Sequence, residues 1–308
     1  MKINKVIIFG KLPPPVGGVT KSIQSLFNAF KSKDISVDFF NPKSILKKYD
    51  IAHINYIKRW KIIAAIIIGN FIANKTILTY HSLDFYPQDS YIDRMILKYL
   101  DGLIVLNETV KNRCLNISNN KTKIRLFTPI LKEGINNSDD LIKNTFFEKN
   151  KFKKYMLLYA FDKVYKENKE VYGIKFILDL MDELDDEYVL ILVDPKSGYK
   201  KDIDDLNLKE RVIYINEIIN FDNLLYHIDV YIRPTNFDGN SVATLEALSK
   251  NKFVIASDCV ERQKGIITYI NNNIDDFIEK LNSLKNLKTK QNIELTTVSE
   301  FIDFCNEI

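Results

Sequence analysis

The 308-residue chain has only three cysteines, Cys114, Cys259 and Cys305, odd in number and without metal-type spacing. That excludes a disulfide framework and points to a reducing compartment, hence the cytoplasm. No apolar run reaches the roughly 18 residues that a membrane span needs. The opening "MKINKVIIFGKLPPP" is too short in its apolar part for a secretory signal and reads as a first strand. No sequence repeat is present, and no cluster of metal-ligating residues stands out. Net charge is small, +4, but unevenly spread: residues 1–150 carry 23 basic and 12 acidic residues, the remainder 21 and 28. Such asymmetry suggests two domains with different partners. A basic half suits a phosphate-bearing or membrane-surface partner, or serves only solubility.

What is present is alternation. In the first half, short apolar segments such as "KVIIFG" (Lys5–Gly10), "SVDFF" (Ser36–Phe40), "IAHIN" (Ile51–Asn55), "TILTY" (Thr76–Tyr80), "GLIVL" (Gly102–Leu106) and "KIRLF" (Lys123–Phe127) predict strands. Helical stretches, among them Val19–Lys31 and Asp89–Leu100, lie between them. Strands alternating with helices imply a parallel sheet covered on both faces. Lys132–Lys154 is polar and weakly periodic and reads as a linker. A second alternating series follows it. The expected organisation is α/β throughout: a Rossmann-like domain over 1–150, a second over 151–290, and a helix over 291–308 that packs back towards the first. In open α/β sheets, ligands bind outside the carboxyl ends of the strands.

At one such end lies "RPTNFDGNSVATLEAL" (Arg233–Leu248), between the strand-like "IDVYI" and "KFVIASD". Asp238 and Gly239 fall in the turn, and Glu246 in the second turn of the following helix. Helical side chains tilt towards the amino end, so both carboxylates could reach a ligand there. The amides of Gly239, Asn240, Ser241 and Val242 would be open donors that favour a phosphate. The plain alternative is a capped helix with a solvated glutamate.

This segment resembles the donor-binding segment of GT-B glycosyltransferases of family four, whose acid-x7-acid motif stands here as Asp-x7-Glu. The resemblance is specific around residues 233–258 and extends in element order over nearly the whole chain. It implies two Rossmann-like domains facing across a cleft. It also implies Glu246 on the ribose, Asp238 at the donor sugar, and Asn236 with the helix-start amides in donor binding. "PPPVGGVTKS" is similar to the family's glycine-bearing loop, which puts Gly17 and Gly18 near the diphosphate and acceptor. "TYHSLDF" matches its "T.H" pattern, which gives His81 a place at the donor sugar. His53 and His227 read as structural. The family's two diphosphate cations are not matched: Tyr172 stands at one, and Lys163, with Lys166 as a substitute, is the candidate for the other.

The implied activity is transfer of a hexose from a nucleotide diphosphate-sugar, uridine-linked, to a glycan or lipid-linked acceptor in bacterial surface-polysaccharide synthesis. Retention of configuration and independence of metal come with it. No cofactor beyond the co-substrate and no nucleic-acid partner are expected. The alternatives are an epimerase or hydrolase on the same fold, or a non-catalytic partner-binding relative. "KRWKIIAAIIIGNFIA" (Lys58–Ala73) reads as a core helix, with an interfacial helix contacting the inner membrane surface as the other reading.

Overall fold

A computed structural model describes residues 3–13, 17–81, 91–118, 122–129, 153–205, 210–238, 241–286 and 295–308. The chain divides into two compact units, Met1–Ile135 with Glu294–Ile308, and Asn136–Ile293.

Unit one holds strands β1 (Lys5–Phe9), β2 (Ser36–Phe39), β3 (Tyr49–Ile54), β4 (Ala73–Thr79), β5 (Gly102–Val105) and β6 (Lys123–Leu126). They form one parallel sheet in the order β2-β1-β3-β4-β5-β6. Helices α1 (Gly18–Lys31), α2 (Arg59–Ile72), α3 (Tyr91–Lys98) and α4 (Glu108–Ile117) connect the strands. The strands are nearly continuous apolar runs because both sheet faces are covered: Val6, Ile7 and Ile8 are all buried. The C-terminal helix, Val298–Glu307, completes this unit. Its Phe301 packs edge-on to Phe30 and beside Phe127, and its Phe304 stands perpendicular to Phe127. Burying these two rings stabilises unit one by roughly 1.5–3 kcal/mol each. Thr128 and Thr296 clamp the helix start, each backbone N–H donating to the other's hydroxyl at 2.9 Å.

Unit two repeats the design. Strands β7 (Lys154–Tyr159), β10 (Tyr188–Val193), β11 (Val212–Ile215), β12 (Val230–Arg233), β13 (Phe253–Ser257) and β14 (Ile267–Tyr269) build a parallel sheet. Its order is β11-β10-β7-β12-β13-β14. A hairpin, β8 (Tyr165–Lys166) with β9 (Lys169–Glu170), follows β7. Helices α5 (Ile174–Glu183), α6 (Lys200–Asp204), α7 (Phe221–Tyr226), α8 (Val242–Ser249) and α9 (Ile274–Ser283) cover the faces.

Each sheet reverses direction once. In unit one the chain runs outward from β1 to β2 and then resumes at β3 on the other side of β1. In unit two it runs from β7 through β10 to β11 and then resumes at β12, beside β7. The crevice outside the strand ends at such a switch point is where open α/β sheets take ligands. The anticipated linker, Lys132–Lys154, lies outside the described residues except at its last two positions.

Candidate functional site

At the switch point of unit two, the loops leaving β7 and β12 are stitched together. Gly173, the residue before α5, has φ +65, and a Cβ on it would fall 1.9 Å from the Pro234 carbonyl oxygen. Only glycine fits that approach and that left-handed backbone. Asn236 ties the same loops together. Its backbone N–H donates to the Val171 carbonyl (2.9 Å) and its side-chain amide to the Glu170 carbonyl (2.7 Å). Its Oδ1 accepts from Asn271 (2.9 Å) and Asn272 (2.8 Å). Asn236 thus positions the loop through its backbone and side chain together.

Asp238 is 8% exposed, and both carboxylate oxygens are engaged. Arg233 grips it with two bonds, Nε to Oδ2 at 3.1 Å and Nη2 to Oδ1 at 2.9 Å. Arg262 adds Nη1 to Oδ2 at 2.6 Å. Burial alone would raise the Asp238 pKa, but Arg233 and then Arg262 hold it down at about 2. Arg262, buried behind the loop, also donates from Nε to the Ser257 carbonyl (2.8 Å), and from Nη2 to the hydroxyls of Thr235 (3.3 Å) and Ser257 (3.2 Å). The Arg233 guanidinium lies 5.5 Å over the Tyr172 ring. The sequence reading put Asp238 at a sugar. In the structure Asp238 is the centre of a buried Arg–Asp–Arg triad, because two forked donors from β12 and from the loop after β13 converge on it. Sequence reasoning overlooked both arginines. Arg233 stood inside the quoted motif, whereas Arg262 lies 24 residues beyond Asp238 with no linear signal.

Lys163, the candidate diphosphate cation, is held by an acidic neighbour in unit two. Its ammonium pairs with Asp202 of α6 at 2.8 Å, which raises its pKa, and rests over the Tyr199 ring. Lys166 on β8 stands 5.2 Å over the Phe237 ring, beside Asp238.

The two helices that start at this switch point differ. The first amides of α5 are taken by the protein's own carboxylate: Glu170 accepts from the N–H of Ile174 (2.8 Å) and of Lys175 (3.2 Å). At α8, the Ser241 hydroxyl caps only Thr244. The amides of Val242 and Ala243 have no partner among the described residues. Here the helix dipole leaves an end that favours an anion. Glu246 lies further along the same helix, half-buried. Gly239 and Asn240 fall outside the described residues.

At the switch point of unit one, Gly17 precedes α1, with Gly18 as its first residue. Gly17 is extended, and a Cβ there would meet nothing within 4 Å. Asn55 follows β3 and His81 follows β4, with His81 Nε2 2.9 Å from Asn55 Oδ1. His53, on β3, bonds through Nε2 to the Thr79 hydroxyl at 2.7 Å. Burial holds both imidazoles neutral, depressing His53 to about 3 and His81 to about 4. A cavity of about 20 Å³ touches His53, Asn55, Thr79, Ser22 and Thr128, and the buried Nδ1 of His53 has no partner among the described residues. That volume suits one water molecule. Among the described residues no three His, Cys, Asp or Glu side chains stand close enough to share a metal ion.

Residues 143–295, which hold this unit-two site, match the family of glycosyl transferases group 1. The whole chain resembles solved GT-B structures. The sucrose-phosphate synthase of Thermosynechococcus elongatus is 14% identical at TM-score 0.64, over 92% of this chain and 90% of that one. Anabaena HepE, solved with UDP-glucose, is 13% identical at TM-score 0.59, over 98% and 94%. The catalytic domain of Arabidopsis thaliana starch synthase IV, bound to ADP and acarbose, is 10% identical at TM-score 0.68, over 100% and 99%. No curated protein sequence matches the chain significantly. The fold is thus GT-B, two Rossmann-like units, and residues 143–295 resemble a glycosyltransferase family.

Proposed function

We propose that the chain transfers a hexose from a uridine diphosphate-sugar to a glycan or lipid-linked acceptor of a surface polysaccharide. The observation that carries this reading is the amide pair of Val242 and Ala243, without a partner among the described residues, at the unit-two switch point on the helix that also bears Glu246. The diphosphate sits over those amides, with charge developing on the leaving group met by the helix end and by Lys166. Glu246 accepts from the ribose hydroxyls. The triad holds residues 234–238 in shape beneath the sugar. Gly17, Gly18 and His81, read from the sequence as donor-side and catalytic residues, stand at the unit-one switch point. Configuration is retained and no divalent metal is needed.

Titration calorimetry with UDP tests the donor site. Saturable binding is expected, weakened by about 1.5–3 kcal/mol in Glu246→Ala; unchanged affinity in a folded variant removes the ribose role. Labelled UDP-sugars then sort the outcomes. A glycosylated acceptor formed in EDTA supports the proposal, whereas free sugar means a hydrolase and a rearranged sugar an epimerase. Nucleotide binding without turnover points to a non-catalytic relative, the reading favoured by the capture of Lys163 by Asp202.

A further inference from the structure

Helix α2 has apolar residues on every side, a composition that belongs to a helix covered all round or lying in lipid. In this protein only one side is covered. Ile62, Ala65, Ile66, Gly69 and Ile72 pack on the sheet of unit one. The opposite stripe, Trp60, Ile63, Ala64, Ile67 and Phe71, faces outward, with Trp60 65%, Ile67 66% and Phe71 67% exposed. These residues recur at helical spacing over about 16 Å of axis, so they form one continuous strip. Leu46, in the short 3-10 helix packed beside α2, adds a further exposed apolar side chain, 90% exposed. The expectation of a core helix therefore holds for one face only.

The strip is bracketed by cations. At its start, Lys58 precedes the helix, and the Lys61 ammonium lies 5.4 Å from the Trp60 ring centre. At its end, Lys48 donates to the Phe71 carbonyl at 2.9 Å and sits 5.1 Å over the Phe71 ring. Between Lys43 and Lys75 the sequence has one carboxylate, Asp50, and its oxygen accepts from the backbone of Asn4 and Lys5. Aromatic and branched apolar side chains flanked by lysines, with no acid among them, match a helix that lies flat at a bilayer interface.

We propose that this face of α2 docks on an anionic lipid surface, its axis parallel to the membrane plane, with the strip in the acyl boundary and Lys48, Lys58 and Lys61 at the headgroups. Among the described residues no helix is long and apolar enough to cross a membrane, so the contact is peripheral. A second copy of the chain is a poorer occupant. Asp93, a carboxylate that meets α2, is buried and paired with Arg59, so among the described residues face-to-face pairing would set these lysines against their own counterparts with little to offset them. An anionic leaflet supplies the complementary charge along the whole strip.

Trp60 is the only tryptophan, so intrinsic emission reports on this face directly. The full chain is mixed with vesicles of phosphatidylglycerol or of phosphatidylcholine. The anionic vesicles are expected to shift Trp60 emission to shorter wavelength, and lipids brominated on the acyl chain to quench it. Neutral vesicles and 1 M salt should each weaken binding at least tenfold. Replacing Lys58 and Lys61 with Gln should weaken it about fivefold per lysine. Ile67→Glu with Phe71→Glu changes only exposed positions, so the variant should keep the far-UV spectrum of the parent and lose vesicle binding. Binding without an emission shift, equal binding to neutral vesicles, or full binding by the double glutamate variant would overturn the proposal. A doubled mass with blue-shifted emission in the absence of lipid would also overturn it, giving the face to a second copy. No vesicle binding at all leaves a protein partner as the occupant and ends the lipid assignment.

Discussion

In unit one the loops leaving β1, β3 and β4 bring together neutral groups: Gly17, Asn55, and two imidazoles kept uncharged by burial. In unit two the loops leaving β7, β12 and β13 bring together a glycine pressed on a carbonyl, an Asn236 bonded to Glu170, Val171, Asn271 and Asn272, and a carboxylate between two guanidiniums. The sheets share one topology, yet the first crevice has open space at its glycine and the second has almost none. The same scaffold thus supports one loop set by room and another by charge and close contact. The rigid loop set is the one inside the segment that matches the glycosyltransferase family.

The largest expected effect breaks the rigid side. Asp238→Ala leaves Arg233 and Arg262 buried without their counter-charge and should destabilise unit two by about 3–5 kcal/mol. Urea unfolding measures this. A variant as stable as the parent, with only turnover lost, would return Asp238 to the sugar-contact role read from the sequence.

Acid should act on the other side. An unfolded histidine takes up its proton near pH 6.5, whereas folded His53 does so only near 3. Between those values the unfolded chain binds more protons, so this contribution is complete above about pH 6.5 and is lost as the pH falls towards 3. It amounts to a few kcal/mol at most. His53→Gln should flatten that part of the stability profile. A profile unchanged between pH 6.5 and 4 would mean that the imidazole is not held neutral. The smallest effect sharpens the contrast in room. Gly17→Ala should cost under about 1 kcal/mol in stability, the ordinary difference at a helix start, while lowering turnover through the ligand's loss of close approach. Unaltered kinetics would show that no ligand comes near Gly17.

Much of the fold was legible in sequence. The expected "GLIVL" and "KIRLF" segments begin where β5 and β6 begin, and Val19–Lys31 misses the start of α1 by one residue. Apolar periodicity carries that information, since each strand is buried on both faces. The β8–β9 hairpin escaped because two-residue strands of Tyr, Lys and Glu have no apolar signature. The site was legible only where it is local. Glu246 on the helix that follows the Asp238 turn is a matter of adjacency. The capture of Asp238 by Arg262, of Lys163 by Asp202, and of the α5 amides by Glu170 depends on which loops meet at the sheet's edge, and spacing does not encode that.

The C-terminal helix has a bearing on how the molecule is made. Phe301 and Phe304 complete a core begun by Phe30, although all of unit two is synthesised between them. On the ribosome, then, the unit that starts first finishes last. Its sheet emerges with the seat for Phe301 and Phe304 uncovered while unit two has all its strands in hand. A nascent chain halted before residue 294 would present one finished unit and one with an exposed apolar seam, the kind of intermediate that chaperones hold.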